Sequence, residues 1–456
     1  MKKNLYFGIA FLFLLGTHTF AFEFKKNDKV VFIGNSITHG GTYHAVLRTF
    51  LATRYQKDIT ILNKGISGET ASNILNRLDK DVLSEKPTVA FIKVGMNDVQ
   101  RWLYSERPTE SQIEAQKNAL DLYKKKTEEL IKKLLYYKIE VILITPTIYE
   151  ESPLLKSKNE KGVNRALGVF ADYIKAMGNQ YKLEVVDFYS ILNAIDQKVQ
   201  AKDPTFTIVG PDRIHPGNTG HFVMGYQLIK AIQKQDTIVS ELCINVAKKK
   251  SINAINCKSS NIEEKDGNLE FDLFENSLPM PLSDFDEKGQ TLVPFSDDLN
   301  KEILQVEKLQ KSKYKLFIDN EELGQFSSNE LEKGIRLDKI FKTPQYKQAI
   351  KVNKISNEIK WYQGQIRDLR YVEYAQFKVD VSALSIDERK ALAQNKLSES
   401  KDSKLSYQDY VNKMLNGYID NIGNEKDINL KIDAATARMF ETSKPVSHHY
   451  QLQQID

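Results

Sequence analysis

Val30-Val31-Phe32-Ile33-Gly34-Asn35-Ser36-Ile37-Thr38 joins an apolar, β-branched run to a serine just past its end. Apolar residues in unbroken succession describe a strand buried on both faces, as in a parallel sheet covered by helices. In an open α/β sheet, ligands gather beyond the carboxyl ends of the strands, which is where Ser36 would stand.

Similar runs recur at Ile59-Thr60-Ile61-Leu62, Val89-Ala90-Phe91-Ile92-Lys93-Val94, Val141-Ile142-Leu143-Ile144 and Val185-Val186-Asp187-Phe188. Amphipathic stretches over 43–55, 71–83, 110–137, 164–181 and 218–232 separate or follow them. This alternation predicts a doubly wound α/β domain of about 210 residues. Asn63–Thr70 follows the second run and Gly95-Met96-Asn97-Asp98 the third. Three consecutive strand ends therefore deliver three segments to one edge.

Late in the same domain comes Asp212-Arg213-Ile214-His215. A serine hydroxyl needs a base to take its proton as it attacks, and an imidazole, titrating near neutrality, suits that task. Asp212 either orients the imidazole or caps a local turn. Serine, base and orienter together are the equipment for acyl transfer. The oxyanion that develops needs preorganised donors. Candidates are the backbone N–H groups of Ser36 and Gly68 and the side-chain amide of Asn97. Gly68, with no Cβ, lets a substrate approach its backbone closely. Asn35, His39, Asp98, Arg101 and Trp102 flank these segments and are candidates for substrate binding.

Four segments in this order resemble the sequence blocks of the SGNH, or GDSL-type, hydrolases. Gly34–Thr38 resembles the nucleophile block, and Asn63–Thr70 the block whose oxyanion glycine falls on Gly68. Gly95–Asp98 resembles the block with the oxyanion asparagine, here Asn97, and Asp212–Pro216 the block that carries Asp212 and His215. Asn35 stands where the GDSL name has an aspartate, which is not the triad carboxylate. The resemblance covers about residues 29–233. It implies a flavodoxin-like three-layer α/β/α domain and no metal or organic cofactor.

Beyond Ser240 the texture changes. Residues 246–300 read as polar and irregular, punctuated by Leu278-Pro279-Met280-Pro281 and Val293-Pro294. Tyr314–Ile318, Asp319-Asn320 and Leu323–Phe326 read as a β-hairpin. Thr343-Pro344 opens a helix with Val352, Ile355, Ile359, Tyr362, Ile366 and Leu369 on one stripe, which packs on its own protein. Ser406 and Asp409 have capping-box spacing for a further helix to Ile422. The expected plan is a signal peptide over 1–21, a hydrolase domain over 22–240 and an accessory region over 245–456. That region is β-containing over 245–342 and mainly helical over 343–456.

At the N-terminus, Lys2 and Lys3 precede an apolar stretch, Leu5–Leu15, and Thr19-Phe20-Ala21 ends in a small residue. The pattern is that of a secretory signal peptide, too short to span a bilayer comfortably. Export to the periplasm or the exterior is expected, with no stable membrane insertion after cleavage. The net charge is +5, or +3 once Lys2 and Lys3 are removed, which gives no reason to expect nucleic acid. Cys243 and Cys257 are the only cysteines, and the sequence leaves their bonded and free forms open.

The expected activity is hydrolysis of carboxylic esters, foremost O-acetyl groups on a carbohydrate. The expected partner is an acylated small molecule or glycan; the oligomeric state stays open. A lysophospholipase or short-chain lipase-type acylhydrolase is the alternative within the same chemistry. A catalytically idle glycan-binding protein is the alternative outside it.

Overall fold

The computed structural model describes residues 22–55, 57–152, 154–232, 238–377, 379–399 and 407–455. The expected signal peptide lies outside them. The first part runs β1 (Lys29–Gly34), α1 (Ser36–His39), α2 (Thr42–Arg54), β2 (Thr60–Gly65), α3 (Ala71–Arg77), β3 (Val89–Lys93), α4 (Glu110–Tyr136), β4 (Glu140–Ile144), α5 (Val163–Tyr181), β5 (Glu184–Val186), α6 (Phe188–Gln200) and α7 (Asn218–Ile232). All five strands are parallel, in the order β2-β1-β3-β4-β5. That is the flavodoxin-like order.

The unbroken apolar runs have a direct cause. Alternate strand residues face opposite ways, so Val30, Phe32 and Phe91 join one core with α2, α6 and α7. Val31, Ile33, Ala90 and Ile92 join another with α3, α4 and α5. Both faces are covered, and neither can carry polar residues cheaply. The fifth strand stops at Val186, short of the expected Phe188, because the Asp187 side chain accepts from Ser190 N at 3.0 Å and caps α6. The apolar pattern had given no sign of α6.

The second part runs β6 (Ser240–Asn245), β7 (Lys250–Ile255), β8 (Cys257–Lys265), β9 (Asn268–Glu275), α8 (Glu287–Leu292), α9 (Phe295–Leu299), β10 (Glu302–Glu307), β11 (Lys313–Ile318), β12 (Glu321–Ser327), α10 (Ser328–Lys333), β13 (Ile335–Arg336), α11 (Pro344–Tyr371), α12 (Ile386–Glu399), α13 (Gln408–Asn421), α14 (Glu425–Thr442) and β14 (Ser447–Ile455). Two sheets, β13-β10-β6-β7 and β12-β11-β14-β9-β8, share one core. The hairpin is present as β11–β12, turning at Asp319 and Asn320, whose φ values of 48° and 67° are those a tight hairpin turn requires.

Several expectations need correction. Residues 246–300 are not irregular throughout but hold three strands. In β9 only alternate residues, Leu269, Phe271 and Leu273, enter the core, while β7 and β8 are largely exposed and carry little apolar signal. The boundary expected between 240 and 245 cuts β6, which belongs wholly to the second part. The mainly helical tail ends in a strand, β14, which lies between β9 and β11. Of the two forms left open for Cys243 and Cys257, the free thiols are the ones present. The helix expected from Ser406 begins at Gln408 without a side-chain cap, and Ser406 lies outside the described residues.

The α11 stripe does pack on its own protein, against α2 and α14. Thr343 caps the helix by accepting from Tyr346 N at 3.3 Å, with Pro344 in the first turn. This helix also covers the edge strand β2. Gln363 donates to the Ile61 carbonyl at 2.8 Å and Arg367 to that of Asn63 at 3.4 Å, which occupies outward-facing carbonyls that an edge strand otherwise leaves open.

Candidate active site

Ser36 stands one residue beyond β1, as the first residue of α1. Asn35 is its N-cap, accepting from Ile37 N at 3.3 Å, and is almost wholly buried. The first N–H groups of a helix lack intrahelical partners, so Ser36 N–H is one of the orphan donors. Gly34 and Gly65 permit this arrangement. A Cβ on Gly65 would lie 2.3 Å from His39 N, and one on Gly34 would lie 2.8 Å from the Lys93 carbonyl.

Ser36 Oγ lies 2.7 Å from His215 Nε2, and His215 Nδ1 lies 2.5 Å from Asp212 Oδ2. The other Asp212 oxygen accepts from Ile214 N at 3.1 Å and His215 N at 3.0 Å. The Asp212 carboxylate thus touches both the backbone of the turn and the ring of His215. Partial burial raises the Asp212 pKa, but the bonds from His215 outweigh it and hold the carboxyl down at about 2. An ionised Asp212 favours the tautomer with a proton on Nδ1, leaving Nε2 to accept from Ser36. His215 and Asp212 are each about half exposed, at 46% and 48% of their side chains, so the site opens to solvent.

Arg213, between them, has a left-handed φ of 70° and a side chain that is only 1% exposed. Its guanidinium donates five hydrogen bonds to the carbonyls of Glu150, Ser152, Leu155 and Ser157, at 2.8 to 3.0 Å. Its own carbonyl accepts from Glu150 N at 3.0 Å. The left-handed conformation costs roughly 1–2 kcal/mol for a residue with a Cβ, and these bonds offset it.

The other two oxyanion candidates, Gly68 and Asn97, sit on adjoining loops. Gly68 has φ 81°, and a Cβ there would meet nothing within 4 Å, so there is open space beside it. Asn97 Nδ2 donates to the carbonyl of the next residue, Glu69, at 2.9 Å. Asp98 ties the loops together, accepting from Ala71 N at 2.8 Å and Gly95 N at 2.9 Å. Burial raises its pKa to about 6 despite those backbone bonds.

Three substrate-binding candidates are thereby corrected. Asp98 is buried with both oxygens occupied by backbone. His39 is buried too: its Nδ1 accepts from Ser67 N at 3.3 Å, and its Nε2 meets Asp368 of α11 at 3.0 Å. Asn35 is likewise occupied as a cap. Arg101 pairs with Glu160 at 3.2 Å, and Trp102 beside it is 61% exposed. His44 and His221 lie in α2 and α7, where burial pushes both pKa values down to about 3.

Sequence reading missed the foundation under Gly68. Glu69 is held by Arg77 at 2.6 Å, Arg77 pairs with Asp81, and Arg367 of α11 grips Asp81 at 2.7 Å. All four side chains are buried. The paired charges were visible, but not that they converge.

Residues 32–222 match the model of the GDSL-like lipase/acylhydrolase family. The chain carries a GDSL-like (SGNH) hydrolase domain. Over 223 residues it is 24% identical to an acetylxylan esterase of Geobacillus stearothermophilus, covering 45% of this chain and 94% of that one. A solved structure described as BT4096, a gut microbial diltiazem-metabolizing enzyme, superposes with a TM-score of 0.85 at 28% identity. That likeness covers 96% of this chain and 99% of the other, so it extends over the C-terminal sheets and helices as well. The chain is an enzyme that hydrolyses ester bonds. Among the described residues no helix is long and apolar enough to cross a membrane.

Proposed function

We propose that this hydrolase removes short acyl groups, foremost acetyl, from a carbohydrate, through a serine nucleophile and an acyl-enzyme. The observation that carries the reading is the unbroken line from Ser36 Oγ through the His215 ring to Asp212, in bonds of 2.7 and 2.5 Å.

Ser36 Oγ attacks the ester carbonyl while His215 Nε2 takes its proton. Ser36 N–H, Gly68 N–H and the Asn97 amide hold the tetrahedral oxyanion, each donor contributing a few kcal/mol. As the intermediate collapses, the C–O bond to the alcohol breaks and His215 protonates the departing sugar oxygen. Water then attacks the acyl-enzyme, giving its proton to His215, and the carboxylic acid leaves as Ser36 regains its hydrogen. Asp212 stays ionised and stabilises the imidazolium in both halves.

The acetylxylan esterase relative supports the acetyl and carbohydrate parts of this reading. The N-terminal pattern, Lys2 and Lys3 before an apolar stretch, supports export. The test is hydrolysis of p-nitrophenyl esters from acetate to octanoate by wild type and Ser36→Ala. Activity that is highest on acetate and falls by roughly 10⁴-fold or more in the variant is expected. Preference for octanoate turns the assignment to a lipase or lysophospholipase. No Ser36-dependent turnover refutes the nucleophile and leaves a glycan-binding protein.

A further inference from the structure

Beside Gly68 the surface opens into a cleft of about 1020 Å³, walled by both parts of the chain. One wall is the Gly68 loop and the face of α3 and its extension that carries Asn73, Asn76 and Lys80 at helical spacing. The other is the segment following α11, with Tyr374, Gln376 and Ser382. Each wall contains a π-helical turn, Leu78–Val82 on one side and Val372–Phe377 on the other. Such turns are rare and occur frequently at functional sites.

The volume is far more than an acetyl group fills and reaches the upper range of sites that enclose a drug-sized ligand. Its charged side chains are all paired. Lys80 pairs with Asp380, Arg370 with Glu373 at 2.8 Å, Arg389 with Glu373 at 3.4 Å, and Arg77 with Glu69 at 2.6 Å. Every charged group of the lining thus has an opposite partner, Arg370 through Glu425 from outside the lining, and none is left unpaired to attract a phosphate, a carboxylate or a cationic headgroup. What remains is amides, hydroxyls and tyrosine rings with a polar tip, which both donate and accept, beside the small aliphatic side chains of Ala375, Val379 and Val381. An alkyl chain would want a dry apolar groove instead.

We propose that this cleft binds the alcohol portion of the ester, a neutral, hydroxyl-rich oligosaccharide, with residues 373–376 and 379–382 supplying the wall that the hydrolase domain lacks. The inference rests on the reading of Ser36 as nucleophile toward a short acyl group, since that leaves the bulk of the substrate on the alcohol side.

Asn76→Ala and Tyr374→Ala change opposite walls, so a folding defect in one leaves the other informative. The ratio of kcat/KM on acetylated xylotetraose to that on p-nitrophenyl acetate falls at least about tenfold in each, carried by KM. An unchanged ratio in both overturns the proposal. Calorimetric titration of xylotetraose and cellotetraose, without acetyl groups, into Ser36→Ala protein separates the cleft from the esterase reading. Binding that weakens when Tyr374→Ala is added upholds the cleft even if no ester is turned over. No binding of either sugar, or binding indifferent to Tyr374→Ala, refutes it while leaving ester hydrolysis intact.

Discussion

Arg367 of α11 holds both carboxylate oxygens of Asp81, at 2.9 and 2.7 Å, across 286 residues of sequence. Asp81 in turn pairs with Arg77, which grips Glu69, the residue whose carbonyl takes the Asn97 amide. The C-terminal region is thereby part of the foundation of the site. Burial raises the Asp81 pKa, but Arg367, Lys64 and Arg77 overcome this and hold it well below the usual carboxylate range. Arg367→Ala leaves that charge short of a partner and is expected to cost about 3–5 kcal/mol in denaturant melts, with activity lost alongside. Arg367→Lys recovers only part, because an ammonium cannot span both oxygens.

Arg213→Ala should be similarly severe for a different reason. It strips donors from four buried or half-buried carbonyls, each worth about 1 kcal/mol or more, and frees the loop that carries His215. The expected loss is at least about 3 kcal/mol by urea unfolding, and kcat falls with KM little changed.

Asp212→Asn keeps the shape of the turn but removes the ionised orienter of His215. A fall in kcat of about 10⁴-fold is expected, with the fold intact by circular dichroism. A loss under tenfold would remove Asp212 from the triad.

Gly65→Ala and Gly68→Ala should part company. At Gly65 the new methyl meets the backbone of Thr38 and His39 at 2.6 and 2.3 Å, pushing on the helix that carries Ser36, so stability and activity fall together. At Gly68 space is open and only the left-handed φ of 81° is strained, costing about 1 kcal/mol. Activity there should drop far more than the melting temperature, because the methyl stands where the substrate carbonyl approaches.

Asp98 should leave a mark on the pH dependence of stability. The folded carboxyl takes its proton near pH 6, whereas in the unfolded chain it does so near the ordinary 3.8. The folded state therefore binds the extra proton between those values, and stability falls as pH rises through that window. The contribution is roughly 3 kcal/mol, and it is absent from Asp98→Asn. Denaturant melts of both proteins at pH 4 and pH 7 measure it as a change in their difference.

How far the site was legible depends on how local each signal is. Ser36 follows an apolar run directly, and Asp212 reaches His215 within one turn of chain, so both could be read from neighbours. For His39 and Asp98 the sequence misleads, because proximity to a motif says nothing about which way a side chain points. His39 turns to Ser67 and Asp368, and Asp98 to Gly95 and Ala71. Nothing within its own motif marks Arg213, since its partners Glu150, Ser152, Leu155 and Ser157 lie 56 to 63 residues away.

The sequence by itself determined the parallel sheet and the order of the segments at its edge. Strand burial and strand-end placement follow from periodicity, which is a property of adjacent residues. Only the tertiary structure decided that α11 seals β2, that Arg367 props the Gly68 loop, and that a cleft lies between α3 and the segment after Tyr371. These depend on contacts between residues some three hundred positions apart, made by ordinary-looking arginines and glutamines whose partners no local pattern names.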